Sequence, residues 1–311
     1  MINKDSKIYI AGHKGMVGSA CWDLFLEKGY NNLIGKSSTE LDLRNQKSVE
    51  DFFKNEKPEV VVDAAAIVGG ILANNENPYQ FLMDNMLIQN NLINSSFNNG
   101  INKFIFLGSS CIYPKYSKQP IKEEYLLTDF LEETNQWYAI AKISGVKACE
   151  AIFKKYKKNF ISLMPSNLYG PKDNFDSETS HVMPALIKKF YLAKINQESE
   201  VILWGDGSPL REFLHSRDLA KAILFSCENN LDSYIYNVGS GDELSIKELA
   251  LKTKDIIGFK GNIKWDISKP NGAPRKLLDS SKINNLGWKK NIGIGEGIKS
   301  TCDWFIKYYK D

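Results

Sequence analysis

The amino-acid sequence predicts an α/β protein with a Rossmann-type, doubly wound parallel sheet and a smaller C-terminal substrate-binding lobe. Two observations predict this class. Short runs rich in β-branched residues alternate with longer segments of helical period, which is typical of a parallel sheet with crossover helices. The first of these runs leads into a glycine-rich turn and then a helical pattern, which is the arrangement of a dinucleotide-binding fold.

The elements follow in chain order. Strands are predicted from buried, β-branched runs at 7–11, 32–35, 60–63, 104–108, 160–164 and 201–203. Helices are predicted where apolar residues recur with a helical period, near 16–28, 78–98 and 137–156. From about residue 167 the pattern becomes irregular and rich in Pro, Gly and Asp. We therefore predict a Rossmann domain over 1–166, with later strands returning from about 201–240, and an interleaved smaller lobe over 167–311.

Composition limits the classes of function. The chain has 311 residues, of which 43% are hydrophobic and 25% charged, and its net charge of +3 gives no case for nucleic-acid binding. The start of the sequence shows no apolar signal segment, and no apolar run approaches the roughly 20 residues of a membrane span. Five scattered cysteines without a CxxC pair argue against a disulfide framework and against zinc. We expect a cytoplasmic protein with no membrane segment and no metal.

A glycine-rich loop follows the first predicted strand and begins the first predicted helix. Its residues are Gly12, His13, Lys14, Gly15, Met16, Val17 and Gly18. Glycines at this spacing permit a tight turn and let the backbone approach a pyrophosphate, while the helix N-terminus offers unpaired N–H groups to phosphate oxygens. A plain tight turn would show the same pattern, but its position at the first strand-to-helix turn favours dinucleotide binding.

The residues after the second predicted strand indicate which dinucleotide is bound. A carboxylate there would bind the ribose hydroxyls of NAD. The sequence instead has Lys36 and Ser38, with Lys14 nearby in the glycine loop. Amines and hydroxyls suit a 2′-phosphate, so NADP is predicted in preference to NAD. The alternative is that both lysines are merely solvated.

Tyr138 and Lys142 lie four residues apart on one face of a predicted helix. A tyrosine alone is a poor acid–base group at neutral pH, and we expect the nearby ammonium to lower the pKa of Tyr138 toward the working range. Ser109 follows the strand predicted at 104–108, at the sheet edge where open α/β proteins bind ligands. Ser109 can hold a carbonyl oxygen while Tyr138 protonates it. These groups predict a carbonyl reductase.

The motifs are similar, in this order, to those of the extended short-chain dehydrogenase/reductase family, and in longer stretches they resemble GDP-L-fucose synthases. The resemblance covers essentially the whole chain. Besides the glycine loop and the Tyr138 helix, it rests on the segments 68–71, 108–115, 167–171, 180–182, 211–215 and 274–279. It implies epimerisation at C3 and C5 of a GDP-4-keto-6-deoxy sugar, reduction of C4 with NADPH, and a homodimer built from helices near 78–98 and 138–156.

The resemblance also implies roles for individual residues. Ser109, Tyr138 and Lys142 would reduce the ketone, and Cys111 and His181 would move protons at C3 and C5. Further cofactor contacts would come from Leu107, Gly108, Ser110, Pro165, Asn167, Leu168 and His181. The GDP-sugar would be held by Lys189, Trp204, Arg211, Arg275 and Lys276, with Lys189 standing where the family commonly has an arginine. The domain over 1–166 would then bind NADP, and the lobe over 167–311 the nucleotide sugar.

Other interpretations of the same residues remain open. Cys111 can be a small buried hydrophobe, and His181 can be structural. Trp204 can be an ordinary core residue, and His215 is expected to be structural. At the level of the whole chain, the alternatives are a C4 reductase without epimerase activity, acting for example on a GDP-heptose, and a non-catalytic protein that senses NADP(H).

Overall fold

The computed structural model describes residues 2–177, 179–269 and 271–309. The strands, numbered along the chain, are β1 (Ile8–Ala11), β2 (Leu33–Ile34), β3 (Val60–Asp63), β4 (Lys103–Leu107), β5 (Asn159–Pro165), β6 (Asn167–Tyr169), β7 (Glu200–Trp204), β8 (Leu210–His215), β9 (Ile235–Val238), β10 (Glu243–Ser245), β11 (Asn262–Asp266) and β12 (Arg275–Lys276). The helices are α1 (Met16–Glu27), α2 (Gln46–Glu56), α3 (Ile71–Glu76), α4 (Pro78–Asn98), α5 (Gln136–Tyr156), α6 (Val182–Ile195), α7 (Ser216–Glu228), α8 (Ile246–Ile257), α9 (Ser281–Asn285) and α10 (Ile294–Tyr308).

The main sheet has six parallel strands in the order β2-β1-β3-β4-β5-β9. The predicted fold class is confirmed. The chain winds in opposite directions on the two sides of β1 and β3, so the sheet has its topological switch point there. The glycine loop follows β1 at this point, and ligands of open α/β sheets bind at the adjacent carboxyl edge.

Helices cover the sheet on both faces. One apolar layer packs α1 and α7 against alternate strand residues such as Ile10, Val62 and Ile105. The opposite layer packs α2, α4 and α5 against the intervening residues, among them Val61 and Phe106. Because strands β1, β3 and β4 are buried on both faces, they show continuous apolar runs in the sequence.

The smaller lobe has its own core, formed by α6, α8 and α10 around β7 and β8. Within 201–240, where strands were expected to return to the main sheet, only β9 does so among the described residues. The segment predicted at 201–203 lies in β7, which pairs with β11 in a separate two-stranded sheet. The physical reason is visible in its burial, since Val201 and Leu203 are buried while the alternate residues Glu200, Ile202 and Trp204 face solvent.

The remaining strands of the lobe surround β8. It pairs with β6, β10 and β12. Because β6 comes directly after β5 in the chain, its pairing with β8 connects the main sheet to the lobe. No helix within the described ranges combines the length and apolar character needed to cross a membrane.

Candidate active site

The glycine loop has the geometry of a phosphate cradle. Gly12 has a φ of +74°, and a Cβ there would lie 2.6 Å from the carbonyl oxygen of Ala64 at the switch point. A side chain at Gly18 would overlap the Gly12 carbonyl. Gly15 precedes α1 and provides no side-chain cap, so the first N–H groups of the helix are available to phosphate oxygens. These residues fit a dinucleotide.

His13 connects this loop to the end of β2. Its ring lies 5.4 Å from the ring of Trp22, and a Cβ at Gly35 would collide with it. Partial burial and the nearby Lys14 charge lower the pKa of His13. The imidazole is therefore neutral near pH 7, and it separates the glycine loop from the segment with Lys36.

Lys14 and Lys36, which the sequence predicts for a 2′-phosphate site, both lie close enough to Glu40 for their charges to act on it. The pKa of Glu40 is lowered first by its hydrogen bonds with Ser37 and further by these lysines. The Ser37 N–H donates to the Glu40 carboxylate at 2.8 Å. Ser38 is exposed beside this group. No carboxylate directly follows β2 in the sequence, but the turn after Ser37 brings Glu40 back to the same place.

Lys142 lies beneath the site, where α5 packs on β4. It is 3% exposed, and its ammonium donates a hydrogen bond of 2.9 Å to the carbonyl oxygen of Leu107. The same nitrogen lies 5.8 Å from the centre of the Tyr138 ring. Tyr138 is half-buried, and its ring meets Phe81 of α4 edge-on at 6.4 Å. The predicted Tyr–Lys pair therefore shares one helix face and reaches the carboxyl end of β4.

The expected direction of the Tyr138 pKa is wrong. Burial raises this pKa, and the Asp63 carboxylate, together with the thiolate form of Cys111, raises it further. Burial also lowers the pKa of Lys142. Tyr138 is thus a protonated phenol, which is the form required of a proton donor.

The residues after β4 form a short 3₁₀ turn that packs against α5. The Ser109 hydroxyl accepts a hydrogen bond from the Cys111 N–H at 3.3 Å. Cys111 is 7% exposed; burial raises the pKa of its thiol, while the positive charges of Lys276 and Lys142 oppose this. Cys111 is therefore buried, as the hydrophobic interpretation expected, but its neighbours are the charged groups of the site.

His181 immediately precedes α6 in the smaller lobe. Its segment is held by the loop after β3, because the Gly70 N–H donates to the Thr179 carbonyl at 2.9 Å. A Cβ at Gly69 would lie 3.2 Å from the ring of Phe81, the residue that contacts Tyr138. The His181 side chain is open to solvent, yet surrounding protein lowers its pKa, so it lies in a concave part of the surface.

The segment expected along the nicotinamide joins the two lobes. Pro165 ends β5 in the main sheet, opposite Val238 of β9. Asn167 and Leu168 lie on β6, and the Asn167 amide donates to the Glu212 carbonyl at 2.8 Å. Within five residues the chain therefore passes from the main sheet to the lobe, across the carboxyl edge.

Arg211 and Lys276 are cross-strand neighbours on β8 and β12. Burial lowers the pKa of both, and the Arg211 charge lowers that of Lys276 further. Neither forms an ion pair with any described residue. Lys189 of α6 donates to the Ile202 carbonyl at 3.3 Å, and burial lowers its pKa as well. Desolvated cations without carboxylate partners are typical of a site for a phosphate-bearing ligand.

Comparison with known proteins agrees with this geometry. The model of the NAD dependent epimerase/dehydratase family matches residues 8–239. The chain belongs to this family. It is 51% identical over 307 residues to GDP-L-fucose synthase 1 of Arabidopsis thaliana, an alignment that covers 99% of this chain and 95% of that protein. The resemblance to GDP-L-fucose synthases predicted from the motifs is confirmed.

Two solved structures of Campylobacter jejuni proteins have the same fold. A GDP-6-OMe-4-keto-L-xylo-heptose reductase has a TM-score of 0.94 and 39% identity, with 99% of each chain covered. A GDP-mannoheptose C4 reductase with NADP bound has a TM-score of 0.91 and 40% identity, covering 98% of this chain and all of that one.

Arg275 and Trp204, which were predicted to bind the sugar nucleotide, lie apart from the neighbouring cations Arg211 and Lys276. Arg275 is adjacent to Lys276 but points to the other side of β12, where it forms a two-point ion pair with Glu243 at 2.7 Å. Trp204 is 61% exposed at the end of β7, so the core interpretation is wrong; Lys269 lies 5.5 Å from its ring centre. Trp204 is available for stacking only at the open rim of the lobe.

The sequence analysis missed two buried carboxylates. Glu212, beside Arg211, accepts hydrogen bonds from Gly241 N–H at 2.7 Å and Leu278 N–H at 3.1 Å, which fixes the chain segment after Lys276. Asp63 ends β3 with no exposure. The only sequence signal for either carboxylate is a charged residue inside a buried strand. Among the described residues, no group of three or more His, Cys, Asp and Glu is arranged to hold a metal ion.

Proposed function

We propose that this enzyme reduces the C4 ketone of a GDP-4-keto-6-deoxy sugar with NADPH, after epimerising C3 and C5, to give GDP-L-fucose or a close relative. The observation that supports this best is the grouping of Tyr138, Lys142 and the Ser109–Cys111 turn at the carboxyl end of β4, beside the glycine cradle. The 51% identity to a GDP-L-fucose synthase over nearly the whole chain supports the substrate class.

In the reduction step, the glycine cradle and the segment 165–168 would hold NADPH, which would supply the hydride. Ser109 holds the C4 oxygen by a hydrogen bond, and Tyr138 donates its phenolic proton to that oxygen as negative charge develops. Lys142, fixed to the Leu107 carbonyl, places a positive charge beneath the Tyr138 ring and stabilises the phenolate that remains. The non-catalytic alternative has no use for such a proton donor.

In the epimerisation step, Cys111 and His181 exchange protons with C3 and C5. The C4 ketone acidifies both positions, so a base on one face and an acid on the other can invert either centre. Cys111 comes from the main domain and His181 from the smaller lobe, so the sugar lies between them. Burial raises the pKa of Cys111, and the positive charges of Lys276 and Lys142 oppose this effect and stabilise the thiolate that forms during the step.

The nucleotide part of the substrate binds the smaller lobe, over 167–311, while the domain over 1–166 binds the cofactor. Arg211 and Lys276 contact the diphosphate, because they are neighbouring desolvated cations without an ion-pair partner among the described residues. Lys189 adds a third charge from α6, and Trp204 stacks on guanine or ribose at the rim.

Turnover in D₂O tests the bifunctional proposal. The wild-type enzyme should place solvent deuterium at C3 and C5 of the product, as measured by mass spectrometry and NMR. Cys111→Ser should lose this exchange and release reduced, unepimerised sugar, because Tyr138 and Lys142 remain. Cys302→Ser is the matched control, since Cys302 is another buried cysteine but lies in α10. It should exchange deuterium like the wild type.

A C4 reductase without epimerase activity is the second candidate. It is supported by the TM-score of 0.94 to a GDP-heptose reductase and by the burial that raises the pKa of the Cys111 thiol, which keeps the thiol protonated and so disfavours the thiolate that would abstract a proton. A wild-type product without deuterium at either carbon would favour this candidate over the first. Running the assay with hexose and heptose substrates identifies the sugar.

NADPH should be preferred to NADH because Lys14 and Lys36 flank one point after β2. Lys36→Ala removes one charged contact with the 2′-phosphate and should lower kcat/KM for NADPH about ten- to a hundredfold while leaving that for NADH unchanged. Lys252→Ala, at an exposed lysine of α8, is the control and should change neither value. Equal efficiency with both cofactors in the wild type would refute this site.

We also infer a homodimer formed by α4 and α5. These helices expose apolar side chains to solvent, including Leu87, which is 41% exposed, and Ile140, which is 40% exposed. Sedimentation velocity at assay concentrations measures the assembly directly, and a monomer would contradict this inference.

We also propose a cytoplasmic location, which fits the five free and buried cysteines.

A further inference from the structure

Asp63 is a carboxylate buried in the middle of the main sheet, and the reaction scheme gives it no role. It ends β3, has no solvent exposure, and pairs in register with Phe106 of β4. Alternate residues of a strand share a face, and Val61, two positions earlier, packs in the layer under α2, α4 and α5. The Asp63 side chain therefore lies on the face of the sheet that α5 covers.

Lys142 enters the same apolar layer from α5. Its ammonium bonds to the carbonyl of Leu107 at 2.9 Å and lies 4.7 Å from the centre of the Phe106 ring, which belongs to the residue that pairs with Asp63. Phe106 contacts α5 closely, because a Cβ at Gly145 would collide with its ring. A buried carboxylate and a buried ammonium thus flank the same residue of β4.

The hydrogen bonds of Asp63 leave one of its oxygens unused. Oδ1 accepts the Ala65 N–H at 3.2 Å, whereas Oδ2 has no hydrogen-bond partner among the described residues. The other fully buried carboxylates in the described ranges, Glu212 and Asp218, each accept two backbone N–H groups. A buried carboxylate oxygen without such partners is costly unless an opposite charge compensates it.

We propose that Asp63 is a positioning residue for the reduction: its carboxylate is the buried counter-ion that keeps the Lys142 ammonium charged and in place beneath Tyr138. This inference rests on the reducing role proposed above for Lys142 and Tyr138. Burial lowers the pKa of Lys142, and the Asp63 charge opposes that effect. Burial raises the pKa of Asp63 to about 6, and the Lys142 charge acts in the opposite direction. Asp63 is therefore ionised at neutral pH.

The other titratable groups that face Asp63 do not supply a competing cation. Tyr9 of β1 and Cys149 of α5 both have a pKa raised by burial first and by the Asp63 charge as well, so both are neutral near pH 7. Tyr138 and Cys111 are likewise protonated, since burial raises the pKa of each. Among these described groups, Lys142 alone can balance the carboxylate.

The pH profile of the reaction tests this role. Asp63→Asn keeps the shape of the side chain and its bond with Ala65 but removes the charge, so Lys142 and Tyr138 lose their protons more easily. The alkaline limb of kcat/KM should move to lower pH by about one unit or more. Asp218→Asn, at a buried carboxylate of α7, is the control; it should lower stability without moving the limb. An unmoved limb in Asp63→Asn would overturn the proposal.

A double-mutant cycle tests the charge interaction between Asp63 and Lys142 without any substrate. Urea unfolding is measured for Asp63→Asn, Lys142→Met and the combined variant. Asp63→Asn should lower the urea midpoint in the wild-type background and lower it less, or raise it, in Lys142→Met, where the carboxylate has already lost its counter-ion. Equal effects in both backgrounds would overturn the proposed interaction between Asp63 and Lys142.

The cycle remains decisive if Asp63→Asn fails to fold. In that case a combined variant that folds supports the interaction, and a combined variant that also fails to fold refutes it. An enzyme that reduces no GDP-4-keto sugar would refute the proposed function, while this cycle would still decide the role of Asp63.

Discussion

The reduction groups and the proton-transfer groups of this site are built from different kinds of contact. Tyr138 and Lys142 lie one turn apart on α5, and the bond from Lys142 to the Leu107 carbonyl fixes that helix to the main sheet. Cys111 and His181 instead come from the main domain and the smaller lobe. Their relative position depends on loop contacts, such as the hydrogen bond from Gly70 to Thr179.

This difference indicates which activity is easier to lose. A small shift of the smaller lobe changes the distance between Cys111 and His181 but leaves the Tyr138–Lys142 pair unchanged. The same framework can therefore serve a bifunctional enzyme or a reductase alone, which is why both candidate functions fit one fold. Substitutions that affect one pair and spare the other test this separation.

The largest expected effect is at Tyr138. Tyr138→Phe removes the proton donor and should slow reduction by about 10²–10⁴-fold, while NADPH binding and deuterium exchange at C3 and C5 persist. Single-turnover reduction and exchange are measured on the same samples. Tyr156→Phe, at an exposed tyrosine at the end of the same helix, is the control and should behave like the wild type. Loss of exchange together with reduction would show that the two groups are not separable.

A smaller effect is expected at Gly70. A Cβ there would lie 3.0 Å from the Ser180 carbonyl oxygen, so Gly70→Ala must displace the segment before His181 by a few tenths of an ångström. Because small misplacements of a catalytic group are costly, exchange at C3 and C5 should fall about tenfold, with reduction affected less. Gly295→Ala is the control, since nothing lies within 4 Å of a Cβ at that position. Equal losses of exchange and reduction in Gly70→Ala would remove the distinction between the pairs.

The sequence predicts those parts of the site that are formed by residues close together in the chain. The strands Val60–Asp63 and Lys103–Leu107 are buried on both faces and contain the apolar runs 60–62 and 104–107, so their composition alone reveals them. Tyr138 and Lys142 are related by helical spacing, which the sequence states directly. The helix Gln46–Glu56 was missed even though Asn45 caps it through a 3.0 Å bond from Ser48, a signal that the sequence contains.

Tertiary contacts set the features that the sequence could not predict. Arg275 and Lys276 are adjacent in the chain but point to opposite sides of β12, and only the register with β8 shows that Lys276 joins Arg211. Glu40 returns to the predicted 2′-phosphate site through a turn stabilised by Ser37. The direction of the Tyr138 pKa depends on desolvation, which is a property of the assembled fold.

The smallest effect on the reaction is expected at His215, which distinguishes the two histidines of the smaller lobe. His215 is 6% exposed; its Nδ1 accepts the Arg217 N–H at 3.2 Å, and its Nε2 lies 3.2 Å from the Ser300 hydroxyl. Burial lowers its pKa to about 4. The unfolded chain, in which the histidine pKa is about 6.5, therefore binds more protons than the folded chain between these values.

The stability from this histidine is fully present above about pH 6.5 and is lost as the pH falls toward 4. Urea unfolding of the wild type should show a decline of about 1–3 kcal/mol across that window, and His215→Gln should show a shallower one. Surrounding protein also lowers the pKa of His181, so His181→Asn should make the decline shallower as well, but it should lose deuterium exchange, which His215→Gln keeps. If His181→Asn preserved exchange and His215→Gln lost it, the roles of the two histidines would be reversed, and the proton-transfer pair would have to be sought elsewhere in the lobe.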